Sequence, residues 1–203
     1  MNIKKAFTLI ELLIVVAIIA ILAAVALPNL MDAGLRAKSA RAQSDLRSIA
    51  TALESYRVDC NAYPTMIVPT FTAGVIPGLN YKWWYTSDAL STPVAYITTA
   101  DLRCPFAGDS MRRNDFPDDI WRRYSYENVP ELEKAVSSGF TILSGKYGPG
   151  KNASVRMGGW RILCIGPDKS WNPMVQYDPT NGANSAGNIM RTQVDTQGRG
   201  SEQ

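Results

Sequence analysis

The sequence predicts an α+β fold in which one long N-terminal helix packs on a small antiparallel β-sheet. Three observations lead there. An apolar run fills Phe7 to Leu27 with a single charge in it. After Pro28 the apolar residues narrow to one helical face: Leu46, Ile49, Ala50, Leu53 and Tyr56 recur at steps of three and four, with Arg47, Ser48, Thr51 and Glu54 on the other. From Cys60 onward, turn residues and short β-rich runs replace that pattern.

The elements follow in order. Residues 1–6, "MNIKKA", are polar and positive, and Lys4 and Lys5 would hold this end on the cytoplasmic side of a membrane. Residues 7–28 are long enough to cross a bilayer and end without a secretory cleavage site, so they read as one span with the bulk of the chain outside. Residues 29–58 continue the helix, giving a rod of about 75–80 Å at 1.5 Å per residue. Pro28 removes a backbone donor and Gly34 adds slack, so the rod is expected to bend or open between them.

Residues 59–203 form a β-rich head with long loops. Pro64, Pro69, Pro77, Pro93 and Pro105 punctuate its first part, with "KWWY" (82–85) and "AYITT" (95–99) as short strands. "PELEKAVSS" (130–138) is a short helix opened by proline. "FTIL" (140–143), "WRILCIG" (160–166) and "MVQY" (174–177) are strands, and "GRGSEQ" is a frayed tail.

Composition narrows the chemistry. The 203 residues include no histidine, which excludes imidazole acid–base catalysis and histidine-ligated metals. The formal charge is +3, and without Lys4 and Lys5 the 21 basic residues become 19 against 18 acidic. The basic pairs Arg112-Arg113 and Arg122-Arg123 are interleaved with Asp115, Asp118 and Asp119, which suits a solvated loop better than a nucleic-acid surface. "GKYGPGK" lacks the phosphate-loop order, and the scattered carboxylates show no catalytic pairing. Apart from Phe7 there is no ring before Tyr56, so the apolar helix could not carry electrons through stacked aromatics. The Trp and Tyr residues of the head read as core and interface.

Cys60, Cys104 and Cys164 are too widely spaced for a CxxC motif. Outside the cytoplasm they allow one disulfide in three pairings, and Cys60 with Cys104 is expected because Cys164 sits in an apolar strand that suits a buried thiol. Near the C-terminus, Asp168, Asp178, Asn181, Asn184 and Asn188 offer hard oxygen ligands suited to calcium. The same residues make ordinary turns, which is the preferred reading.

Glu11 is the single charge in the apolar run. An ionised carboxylate at mid-bilayer is unfavourable by about 2.5–3.5 kcal/mol even on lenient scales, so it needs a partner. "KKAFTLIELLIVVAIIAILAAVALPNL" resembles the N-terminus of the type IV pilin family, which includes the pilins of surface pili and the pseudopilins of type II secretion. The carriers are a basic leader, a small residue at Ala6 where the family usually has Gly, Phe7 first and Glu11 fifth after the cut, an apolar helix, and Pro28.

The resemblance implies a pilin-like fold and a prepilin peptidase that cleaves between Ala6 and Phe7 and methylates the new amine. It also implies an inner-membrane assembly platform and a homo-oligomeric helical filament, outside the cell or as a periplasmic pseudopilus. In that family the glutamate neutralises the terminal ammonium of a neighbouring subunit, so Phe7, Glu11 and Pro28 are the expected assembly residues. Pseudopilins carry a C-terminal calcium loop, and "YDPTNGANSAGNI" is loosely similar to it. A pilus subunit is the expected function, with a pseudopilin and then a minor pilin for DNA uptake as alternatives. A membrane-tethered enzyme is a fourth reading; neither catalysis nor a required cofactor is expected.

Overall fold

The computed structural model describes residues 8–65, 86–108, 122–137, 153–172 and 175–194. Ala6, Phe7, "KWWY" and "FTIL" lie outside the described residues.

Helix α1 runs unbroken from Leu9 to Cys60, 52 residues, and ends where Asn61 turns into the left-handed region at φ 53°. Asn is one of the few residues that tolerate that cap conformation. Pro28 lies inside the helix, and the expected opening between Pro28 and Gly34 does not occur. Proline deletes one intrahelical bond, but the flanking Ala, Leu and Val turns keep theirs, and the side chain of Asn29 donates to the Val25 carbonyl at 3.3 Å.

Three short strands, β1 (Ser125–Asn128), β2 (Trp160–Cys164) and β3 (Ile189–Thr192), form an antiparallel sheet in the order β1-β2-β3. Tyr126 pairs with Ile162 and Asn128 with Trp160. Side chains alternate between faces. The face with Tyr126, Trp160 and Ile162 meets Leu46, Ile49, Ala50 and Leu53 of α1 in a single apolar cluster. The other face carries Ser125, Glu127, Arg161 and Leu163, all buried. Helices α2 (Val129–Ser137) and α3 (Ala153–Met157) both contact β2 and each other. With both faces covered, β2 is continuously buried, which explains the unalternating "WRILC".

Two expected strands are not strands. In "AYITT" the amides of Tyr96 and Ile97 both donate to the Leu90 carbonyl, at 2.9 and 3.1 Å, so they fold back on the turn Asp88–Leu90 instead of pairing with a strand. Of "MVQY", Met174 lies outside the described residues; Val175–Tyr177 show an isolated bridge from Gln176 to Asn188, with the Val175 amide in a turn with Asn172.

The disulfide is Cys104–Cys164, not Cys60–Cys104. Cys164 ends β2 on the face toward α1, directly beside Cys104, with their Cα atoms 5.5 Å apart and both side chains buried. Cys60 sits exposed at the end of α1. An apolar strand suits a buried free thiol, and it equally suits a buried bridge when the fold brings a second cysteine to it.

On the second face of the sheet, Glu127 and Arg161 form an ion pair at 0–1% exposure, with Nε and Nη2 2.7 and 2.6 Å from one carboxylate oxygen. Burial pushes the Glu127 carboxyl up, and the guanidinium only partly opposes this. Removing one partner strands a buried charge. Glu127→Ala is expected to lower stability by about 3–5 kcal/mol, and Glu127→Met with Arg161→Leu to lose far less. Denaturant unfolding of the full chain in detergent checks this; equal losses in both variants would contradict it.

Candidate functional site

The dominant feature is what α1 leaves uncovered. Every described residue from Thr8 to Gly34 is exposed; Leu35 is the first to be partly covered and Ser39 the first to be buried. Leu9, Leu13, Ile21, Leu22, Leu27 and Met31 are 62–88% exposed, on all sides of the helix. An 18-residue window has a mean hydropathy of 3.1 with none of it buried, in a helix near the N-terminus long and apolar enough to cross a membrane. A helix apolar all round needs cover from lipid or from other helices.

Glu11 has a partner within its own chain that the sequence reading missed. Its carboxylate accepts from the Thr8 amide at 2.9 Å and the Thr8 hydroxyl at 2.8 Å, while its own amide donates to the Thr8 hydroxyl oxygen at 3.3 Å. This is a capping box, which satisfies two of the orphan amides at the helix start. Its signal, Thr-x-x-Glu, was legible. Thr8 lies beyond the Ala6–Phe7 bond, so cleavage there would leave the box intact. A carboxylate has about four acceptor positions, so Glu11 keeps capacity for a further donor. Pro28 lies exposed near the middle of α1, and Ala6 and Phe7 are outside the described residues.

The second end of α1 is tied to the head by polar contacts that sequence could not reveal. Glu54 accepts from the Trp160 indole at 2.8 Å and from the Tyr63 hydroxyl at 3.1 Å. That hydroxyl in turn accepts from Arg57 at 2.7 Å and from the Gln193 amide at 2.6 Å. Gln193 also accepts from the Gly159 amide at 2.6 Å, and Arg57 lies 4.9 Å from the centre of the Tyr63 ring. A side chain at position 159 would collide with Tyr63. Partial burial raises the Tyr63 hydroxyl above its ordinary value, so it stays a neutral donor and acceptor through physiological pH.

The C-terminal loop gives the proposed calcium ligands other work. Asp168 accepts from the amides of Ser170 and Gly187 at 3.2 and 3.3 Å. Asp178 caps the turn Pro179–Asn181, accepting from the Thr180 amide and hydroxyl at 2.8 and 2.7 Å. Asn188 holds the Asn172 amide at 3.1 Å. Among the described residues no three acidic or cysteine side chains converge, and Asn181 and Asn184 are exposed. The contacts of Asp168, Asp178 and Asn188 are those of ordinary turns.

Arg123 is also committed. It binds Asp88 and Asp101 at 2.8 Å each, so it is no free phosphate ligand.

The family models match the first third of the chain, and individual relatives match more of it. Residues 1–27 match the prokaryotic N-terminal methylation motif, and residues 29–68 match type II secretion system protein G. The type IV major pilin protein PilA of Myxococcus xanthus is 35% identical over 112 residues, 55% of this chain and 50% of that protein. The type II secretion system core protein G of Vibrio cholerae is 26% identical over 159 residues, 78% of this chain and 93% of its own length. The type IV wide pilus major component PilA4 of Thermus thermophilus is 52% identical over 59 residues, 29% of this chain and 45% of that protein. The chain thus spans half or less of the two pilins it matches. No solved structure matches it.

The tie between α1 and the head is testable. Tyr63→Phe removes the hydroxyl that joins Glu54, Arg57 and Gln193, and is expected to cost about 1–3 kcal/mol. A thermal melt of the full chain in detergent should fall by several degrees; an unchanged melt would show the network to be incidental.

Proposed function

We propose that this chain, whose residues 1–27 and 29–68 carry the N-terminal segment of type IV pilins and pseudopilins, is a structural filament subunit and not an enzyme. One observation supports this above the rest: a single helix is apolar and uncovered on all sides in its first half, and packed into a folded head in its second. The first half spans the inner membrane before assembly. It then leaves lipid for the filament interior, where helices of other copies cover it.

Prepilin peptidase cleaves between Ala6 and Phe7 and methylates the Phe7 amine, and an inner-membrane platform drives assembly. Glu11, held at the helix start by Thr8, offers its remaining acceptor positions to the ammonium of a neighbouring copy. That ion pair gives direction to an otherwise undirected apolar contact. A surface type IV pilus is the favoured setting, on the likeness to the Myxococcus and Thermus pilins. A type II secretion pseudopilus is the second reading, carried by the match over nearly the whole Vibrio protein. Nucleic-acid binding finds no support in Arg123, which is held by Asp88 and Asp101.

Mass spectrometry of the subunit from envelope and sheared surface fractions tests the reading. A chain beginning at methylated Phe7 is expected; an intact Met1 would contradict it. Glu11→Gln should be processed normally yet yield at least about tenfold fewer filaments, consistent with several kcal/mol for a stranded buried charge. Wild-type filament yield would remove Glu11 from assembly.

A further inference from the structure

Beyond the apolar surface, α1 carries Arg36, Lys38 and Arg41, all exposed. Neither Arg36 nor Lys38 has an ion pair or hydrogen bond among the described residues, and Arg41 makes only a 3.7 Å contact with Asp45 while staying 65% exposed. The one acid near them toward the membrane is Asp32, also exposed. At 100° per residue, Lys38 and Arg41 lie about 160° and 140° around the helix from Arg36. Arg36 therefore lies on one side of the rod and Lys38 and Arg41, about 60° apart, on the opposite side, flanking the face that the head covers at Ser39 and Ala42. A stripe on one side would suit a parallel neighbouring helix; a girdle suits a plane that the helix crosses.

The axial distances put Arg36 at the outer edge of the headgroup layer and Lys38 and Arg41 a few Å beyond it, near enough for their long side chains to reach back. Leu9 to Met31 spans about 33 Å, close to the hydrocarbon thickness of about 30 Å, and the headgroup layer adds about 5–8 Å on each side. Arg36, Lys38 and Arg41 lie about 8, 11 and 15 Å beyond Met31. Helical side chains lean toward the N-terminus, which for these residues is toward the bilayer. Their position also calls for a reason, since basic residues on the outer flank of a span work against the cytoplasmic bias of positive charge.

We propose that Arg36, Lys38 and Arg41 form a girdle that binds the phosphodiester headgroups of anionic lipids in the outer leaflet of the inner membrane. The inference rests on the membrane-spanning state described above. It sets the depth at which the unassembled subunit sits, and these contacts must be released when the helix leaves the bilayer.

The test uses the full chain in vesicles of phosphatidylcholine mixed with phosphatidylglycerol, with native mass spectrometry of the lipids that leave with the protein. Wild type is expected to carry phosphatidylglycerol above its bulk share. Arg36→Gln/Lys38→Gln/Arg41→Gln should reduce that enrichment by at least about tenfold, given roughly fivefold per basic residue near an anionic surface. Arg47→Gln removes the same charge about 24 Å beyond Met31, outside the Debye length, and should leave the enrichment intact. Undiminished enrichment in the triple variant overturns the proposal, as does an equal loss on Arg36→Gln and Arg47→Gln. A triple variant that keeps its lipids but no longer forms filaments would assign the girdle to a second copy instead. A chain that does not insert at all would overturn the spanning state along with the girdle.

Discussion

A helix that must be covered by something other than its own chain dictates the rest of this molecule. From Leu9 to Met31 no side chain of α1 is buried, although this is the most apolar part of the sequence. On the function proposed above, lipid would supply that cover in the membrane, and sister helices would supply it in a filament. Since lipid tails are as apolar as leucine, the exchange gains little from hydrophobic burial, and close packing and polar pairing must favour the assembled side. This makes Glu11 decisive: it is the one charged side chain from Phe7 to Met31, the part of the helix that would change surroundings.

Continuity of the helix carries the consequence to the head. Because α1 is helical through Pro28 and Gly34, a displacement that brings Glu11 to a neighbour also moves Leu46, Ile49 and Leu53, and with them the sheet they bury. The head is built to follow as one piece. Its sheet is covered on both faces, Cys104–Cys164 ties the loop region to β2, and Glu54, Tyr63, Trp160 and Gln193 lock the far end of α1 to the edge of the sheet. The buried Glu127–Arg161 pair adds a constraint of another kind, since it is satisfied only when β1 and β2 align in one register.

Legibility in the sequence followed the range of the interactions. Periodicity identified Leu46, Ile49, Ala50 and Leu53 as the heart of the packed face of α1, because helical spacing is a local property, while buried Ser39, Ala42 and Ala52 lay outside that pattern. The strand at 160–164 and the helix opened by Pro130 were also local signals. The signals that misled were local too, with partners chosen at a distance. "AYITT" has strand-forming residues, but the Leu90 carbonyl takes the amides that a strand would have used. Cys164 looked like a buried thiol until the fold placed Cys104 beside it. Helical spacing puts Glu54 on the face opposite the apolar stripe, yet its partner Trp160 lies 106 residues away, and nothing in the sequence announces that contact. The Thr8–Glu11 box was the reverse case, a short-range motif overshadowed by the family role of the glutamate.

A reconstruction of filaments sheared from cells producing this chain, by cryo-electron microscopy, bears most directly on the role of Glu11. The map is expected to show its carboxylate within about 2.7–2.9 Å of a neighbouring subunit's Phe7 nitrogen, the distance of a charge-assisted hydrogen bond, with Thr8 still at the helix start. Filaments in which Glu11 meets only its own Thr8, far from any neighbour's amine, would show that apolar packing alone holds the assembly together.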